Sequence, residues 1–368
     1  MNPVRLRGVN LGGWLVLEKW MTPSLFRGMD ATDETSWCVE SGSDAAVRLN
    51  AHWDSFITKD DFKWIKERGL NAVRIPVGHW LLGQDYPYHS AYGTSRTPFV
   101  TGGAEYLDRA MKWAEEYGLK VVIDLHAAPG CQNGFDNGGI KDFCDWHKKD
   151  VYRSFSLDFL ELLASRYSVY PALAGIEVLN EPRWTIPTGY LKEYTQDAYW
   201  RIRKYCSKNY VSVIFHDGFR PAAKYRKFMR EPEYSNVMLD IHRYQCFNQG
   251  DLAMSIYDHL NKVAVGWANE AERMWTNPGL WSMVGEWSLG LSLKEVSLWA
   301  PGPYGCCVDG MDKLQRDAAY RAYGSAQLIT FERHNGGWFF WSYKTETTPA
   351  WSFRDCVSNG WLPNNFDS

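Results

Sequence analysis

The sequence predicts an α/β fold, a single (β/α)8 TIM barrel with long βα loops walling a pocket at the C-terminal face. Three observations carry that prediction. Apolar runs rich in Val and Ile alternate with amphipathic helical patterns, eight such units fit along the chain, and the surplus length falls after strand ends.

The strand runs are apolar on both faces, as a parallel sheet covered by helices requires. Strands are expected at Arg5–Asn10, Ala72–Val77, Lys120–His126, Ala174–Asn180, Val211–His216, Val237–His242, Ser282–Trp287 and Gly337–Tyr343. Helices are expected at Asp60–Arg68, Ala104–Tyr117, Val151–Tyr167, Tyr190–Ser207, Ala253–Glu270 and Leu314–His334. The 368 residues exceed the ~250 of a typical barrel. The excess lies in Trp14–Lys59, His79–Gly103, Ala127–Lys149 and Ser288–Asp312, connections that would sit on the C-terminal face. No linker, low-complexity tract or charge block divides the chain, so one domain spanning residues 1–368 is expected.

Composition narrows the partners. A formal charge of −3 leaves no basic footprint, which argues against nucleic acid. No run approaches the ~20 apolar residues of a membrane helix. Aromatic residues make up 15% of the chain, with 19 Trp and 21 Tyr. A large core accounts for most of them, but flat rings also stack on the apolar C–H faces of pyranose sugars. A monomer is expected. Met1-Asn2-Pro3 runs almost directly into the first strand without a signal-peptide pattern, and no Asn lies in an N-x-Ser/Thr sequon. An extracellular location, with any leader absent from this chain, is expected; a cytoplasmic one stays open. The eight Cys lack CxxC spacing. A Cys131–Cys144 disulfide and buried free thiols are both compatible with that pattern.

Two carboxylates end apolar strands: Glu181 in Val178-Leu179-Asn180-Glu181-Pro182, and Glu286 in Val284-Gly285-Glu286-Trp287. A carboxylate in an apolar setting is costly unless paired or working. Two at one barrel mouth fit glycoside hydrolysis with retention, in which one carboxyl is acid/base and the other attacks the anomeric carbon from ~5 Å away. Glu181 is assigned as acid/base and Glu286 as nucleophile. Asn180 is placed to donate to the sugar 2-hydroxyl, and Arg74, a charge inside an apolar strand, to pair with Glu286 and keep it ionised. His126 and His242 end strands that face the same mouth, whereas His216 reads as structural or peripheral. Tyr244 is placed to hydrogen-bond Glu286. Trp341 is placed as the floor of the terminal sugar subsite, while Trp338 reads as barrel wall. Phe135 and Phe247 lie in polar loops, where a pair clamping the next sugar explains them. No metal or cofactor is expected, since the His spacing lacks an HExxH-type pattern.

These motifs together resemble glycoside hydrolase family 5, and within it the exo-β-1,3-glucanases. The resemblance rests on Arg7–Glu18, Thr22–Phe26, Asn71–Pro76, Gln132–Asn137, Asn180-Glu181-Pro182, His242–Phe247 and Gly285-Glu286-Trp287. It implies a retaining barrel enzyme with Glu181 and Glu286 in the roles above. It also implies that Glu18 contacts terminal-sugar hydroxyls, beside Arg74, His126, Asn180, His242, Tyr244 and Trp341, with Phe135 and Phe247 as an aromatic clamp. The expected substrate is a β-1,3-glucan of the laminarin type, cut from its non-reducing end. The chain departs from the family loop at Cys131, at Gly139–Cys144 and at Cys246. Open alternatives with the same mechanism are β-1,6-glucan, flavonoid β-glycosides, or endo-β-1,4-glucanase action. A non-catalytic carbohydrate-binding barrel and a metal-dependent barrel hydrolase are alternatives of other classes.

Overall fold

The computed structural model describes residues 5–83, 98–275, 281–292 and 306–367. Eight parallel strands close into a barrel in chain order. They are β1 (Leu6–Asn10), β2 (Ala72–Gly78), β3 (Lys120–Ala127), β4 (Leu173–Glu177), β5 (Ser212–His216), β6 (Val237–Arg243), β7 (Trp281–Trp287) and β8 (Gly337–Phe340). β8 pairs back onto β1 and shuts the ring. That closure needs Gly337, which sits at φ 95° and whose added Cβ would lie 1.7 Å from the Leu6 carbonyl oxygen.

Side chains alternate between the two faces of each strand. The inward set fills the lower barrel with Leu6, Ala72, Val122, Ile214, Met238, Met283 and Phe339. The outward set, including Val9, Val73, Ile75, Val121 and Ile123, joins the larger core beneath the surrounding helices. Long helices at Gly103–Tyr117, Asp150–Tyr167, Thr188–Arg203 and Lys313–Phe331 form that outer layer. A capping box of Asp312 and Gln315 starts the last of these. Gly118, in the left-handed region, ends the first.

Several expectations are corrected. The connection Trp14–Lys59 is not a bare loop, because helices Glu34–Ser41 and Ala45–Phe56 run through it. Asp33 caps the first of these by accepting from the Ser36 N–H at 2.8 Å, and Trp37, Leu49 and Trp53 are buried beneath the pair. The helix expected over Ala253–Glu270 starts at Ile256 and runs without a gap to Trp275, with a π-helical stretch over Lys262–Trp267 between Ile256–Asn261 and Ala268–Trp275. Val263, Val265 and Gly266, residues of weak helix propensity, lie within that π-helical stretch. β4 stops at Glu177 rather than Asn180, and β8 at Phe340 rather than Tyr343. After β4 the chain turns, and Glu181 reaches φ 42°, which no strand accommodates. Residues 84–97 and 293–305, within two of the expected long connections, lie outside the described residues.

Candidate active site

Above the apolar layer the barrel interior changes character. Arg74, Asp124, Glu177 and Asp240, from β2, β3, β4 and β6, are all fully buried there. The Arg74 guanidinium ties the layer together. Its Nε donates to Glu177 Oε2 at 2.8 Å, and its Nη2 to Asn180 Oδ1 at 2.9 Å, with Asp124 Oδ2 at 3.1 Å. Its Nη1 donates to Asn10 Oδ1 at 2.9 Å and to Glu286 Oε1 at 3.2 Å. Burial opposes charge on Arg74, but Asp124, Glu177 and Glu286 outweigh it and raise its pKa well above the ordinary range. The sequence assigns Arg74 one partner, Glu286; the structure adds Asp124 and Glu177.

Glu181 and Glu286 converge on one nitrogen. His242 Nδ1 lies 2.7 Å from Glu181 Oε1 and 3.3 Å from Glu286 Oε2. Those two oxygens are therefore no further apart than the two contacts laid end to end. Tyr244 O–H donates to Glu286 Oε2 at 2.8 Å, so both Glu286 oxygens are held, one by Arg74 and one by Tyr244. Glu286 follows Gly285, whose N–H donates to Asp240 Oδ1 at 2.6 Å. A Cβ at Gly285 would come within 1.9 Å of the Asp240 carboxylate, so only glycine admits this approach. Asp240 Oδ2 in turn faces His242 Nε2 at 3.3 Å.

The charges in the substrate-free site follow from this geometry. Burial works against charge on Glu181, but the His242 hydrogen bond prevails and brings its pKa down to about 2. Burial also opposes charge on His242, yet Glu286 and Asp240 raise its pKa well above the ordinary range. Burial pushes Glu286 upward, with His242 and Arg74 pulling it back. The mobile proton thus rests on His242, within hydrogen-bond reach of Glu181, and not on Glu181 itself.

The remaining expected site residues surround this pair. Asn180 is buried, with Oδ1 accepting from Arg74 and Nδ2 making no hydrogen bond among the described residues. Gln132 Nε2 pins the turn by donating to the Asn180 and His126 carbonyls at 2.9 and 2.7 Å. His126 Nδ1 lies 2.6 Å from Asp124 Oδ2, and its ring stacks on Trp341 at 5.3 Å with planes 3° apart. Glu18 is buried, and its Oε2 accepts from Trp20 Nε1 at 2.9 Å. Burial, then Asp136, pushes the Glu18 carboxyl well above its usual range, with Glu286 and Glu181 adding to the same push. Trp338 is fully buried in the wall, with Nε1 donating to Glu332. Phe135 and Phe247 belong to separate aromatic groups. Phe135 lies 6.4 Å from Trp184, whereas Phe247 is half exposed and lies 5.3 Å from Tyr244 and 6.1 Å from Trp351.

Other residues join the site without having been assigned to it. Asn137 Nδ2 donates to Glu181 Oε2 at 3.3 Å. Asp136, raised to about 6 by burial, acts on Glu18. His216, which the sequence leaves as structural or peripheral, packs against His242 with ring centroids 4.3 Å apart. Asp124 and Asp240 each precede a site histidine by two residues on the same strand face, a period-two signal present in the sequence. The cysteines are free thiols, Cys131 and Cys144 included. Glu181, His216 and His242, or Glu177, Asp240 and His242, bring three ligand atoms within 4.8 Å of one another. In both sets His242 already turns its two nitrogens to carboxylates beside the Arg74 cation, so an ion would have to break those bonds.

Comparison with known proteins agrees with this architecture. The model of the family described as cellulase (glycosyl hydrolase family 5) matches residues 38–346. A probable glucan 1,3-beta-glucosidase A of Emericella nidulans is 38% identical over 98% of this chain and 90% of its own length. Glucan 1,3-beta-glucosidase 2 of Wickerhamomyces anomalus is 37% identical over 99% and 89%. Among solved structures, a rutinosidase from Aspergillus niger superposes with a TM-score of 0.75 at 19% identity, covering 97% of each chain. Endoglucanase Cel5A of Thermotoga maritima gives 0.57 at 17% identity, covering 98% of this chain and 95% of its own. With the family's model spanning most of the barrel and relatives matching nearly end to end, this chain belongs to glycosyl hydrolase family 5 and is a glycoside hydrolase.

Proposed function

We propose that the chain is a retaining exo-β-1,3-glucanase, releasing glucose from the non-reducing end of β-1,3-glucans such as laminarin and its oligosaccharides. The observation that carries the retaining reading is the meeting of Glu181 and Glu286 at His242 Nδ1, at 2.7 and 3.3 Å. A shared contact of this kind supports the ~5 Å separation of retaining pairs over the ~6.5–9.5 Å of inverting ones. In the first step Glu286 attacks the anomeric carbon. The glycosidic C–O bond breaks, and its electron pair goes to the leaving oxygen, which takes a proton from Glu181. That proton reaches Glu181 from His242 along their hydrogen bond once substrate excludes water from the pair. In the second step Glu181 accepts a proton from water, whose oxygen attacks the glucosyl-enzyme and expels Glu286.

Other groups have matching parts. Arg74 and Tyr244 hold the two Glu286 oxygens and favour its charged form. The unused Asn180 Nδ2 is available to the sugar 2-hydroxyl, a bond that strengthens in the oxocarbenium-like transition state. Trp341, backed by His126, floors the terminal sugar, and Glu18 meets its hydroxyls. Relatives named glucan 1,3-beta-glucosidase support the linkage and the exo action. Time-resolved product analysis on laminarihexaose tests them. Glucose with laminaripentaose from the first minutes is expected; mid-length oligosaccharides at the start would overturn the exo reading.

A further inference from the structure

His216 has one nitrogen committed and one idle. Its Nδ1 accepts from the Gly218 N–H at 2.9 Å, which places the proton of the neutral ring on Nε2. Burial, then the neighbouring charge on His242, holds the His216 pKa well below the ordinary histidine range, so the ring stays neutral. The resulting Nε2–H is buried and has no acceptor among the described residues. Buried donors are rarely left idle without reason.

The surroundings say what it faces. Nitrogens of His216 and His242 and an oxygen of Glu181 lie within 4.8 Å of one another. With Nδ1 bonded to Gly218, Nε2 is the His216 nitrogen with a hydrogen to offer; the His216 and Glu181 side chains are neighbours without a contact inside 4.0 Å, so the bond requires them to close on one another. The charged neighbours of His216 are Glu181 after β4, His242 on β6, Arg74 on β2, and Asp217 and Arg220 after β5. Those of Glu181 are His242, His216 and His126, with Glu286 and Glu18 facing it across the mouth. Phe219 covers another side of the His216 ring at 5.1 Å.

We propose that His216 is a positioning residue for the acid/base step, whose Nε2–H closes on the Glu181 carboxylate as that group gives its proton to the leaving oxygen. The inference rests on the reading of Glu181 as acid/base. Before the reaction, His242 Nδ1 carries the hydrogen that bonds Glu181. Once that proton has passed to Glu181 and on to the substrate, His242 Nδ1 has none to donate, and its remaining N–H faces Asp240. The new carboxylate then lacks its former donor, and His216 supplies one. His216 keeps its own proton throughout. Hydrogen bonds of this kind often tighten only when charge develops.

Three substitutions test this. His216→Phe keeps a ring against His242 and removes both nitrogens. His216→Gln places an amide N–H near the position of Nε2, whereas His216→Asn places polar atoms near Nδ1. The readout is the pH profile of kcat with phenyl β-glucoside, whose poor leaving group makes proton donation limiting. In His216→Phe the alkaline limb is expected to move up by roughly one unit, the shift that losing one hydrogen bond to a charged group carries. Phenyl β-glucoside turnover is expected to fall about tenfold, with 2,4-dinitrophenyl β-glucoside, which needs little proton donation, nearly unchanged. Gln is expected to restore the limb and Asn not. An unmoved limb in His216→Phe, equal losses on both glucosides, or Gln behaving as Asn would overturn the proposal. If His216→Phe does not fold, the Gln and Asn comparison decides alone. A wild-type chain without β-glucosidase turnover would overturn the Glu181 reading together with this inference; an active one without the shift overturns this inference only.

Discussion

Replacing Arg74 with Lys keeps the positive charge and removes the planar fork, so it isolates what the geometry contributes. Arg74 meets five acceptor atoms, on Glu177, Asn10, Glu286, Asn180 and Asp124. A lysine ammonium has three donors, so at least two of these contacts are lost; Asp124 keeps His126, which leaves one or more buried acceptors without a donor. At about 1–3 kcal/mol for each unsatisfied buried group, one or two such groups give an expected loss of stability of roughly 1–6 kcal/mol. Glu286 and Asn180 are also freed to shift, and a displacement near 1 Å at reacting groups costs about hundredfold in rate. Urea unfolding followed by tryptophan fluorescence reads the first quantity, and kcat on 4-nitrophenyl β-glucoside the second. A variant within about 0.5 kcal/mol of wild type that keeps its turnover within about threefold would refute the reasoning, since a bare charge would then suffice.

Other consequences can be checked separately. Burial raises the Glu34 pKa from 4.5 to about 8 in the fold. The folded state therefore holds a proton that the unfolded state has released between those pH values, and stability falls as pH rises through that window. At pH 7 the penalty is on the order of 3 kcal/mol. Glu34→Gln can still accept from the Leu17 N–H, now bonded to Glu34 at 2.8 Å, and should flatten the fall. Parallel unfolding midpoints for the two proteins from pH 5 to pH 8 would contradict this. Glu181→Ala should lose turnover and regain part of it with azide on an activated aryl glucoside; no rescue by azide would remove the acid/base assignment. Phe135→Ala and Phe247→Ala should weaken laminari-oligosaccharide turnover more than aryl-glucoside turnover, and equal losses would remove the clamp.

Much of the barrel is legible in the chain because a parallel strand covered on both faces must be apolar throughout. That one constraint exposes the strands and marks Arg74, Glu181 and Glu286 as charges needing a reason. The same test, pressed further, picks out Asp124, Glu177 and Asp240, which stand within or at the ends of apolar strands and are completely buried. What local pattern cannot show is convergence. Arg74 draws on five residues from four separate segments, and no spacing along the chain encodes that meeting. Backbone strain is hidden as well, since Glu181 at φ 42° looks in sequence like the continuation of a strand. His216 was hidden for a third reason. A strand-end histidine reads the same whether it faces helices or the barrel mouth, and only its contact with His242 distinguishes the two.

The account stands on Glu181 and Glu286 sharing one anomeric centre through two successive displacements. Proton NMR of an aryl β-glucoside during its first minutes of hydrolysis tests that directly. The β-anomer of glucose should appear first, with the α-anomer growing in only at the rate of mutarotation. Initial release of α-glucose would mean single displacement by water, and would contradict the pairing.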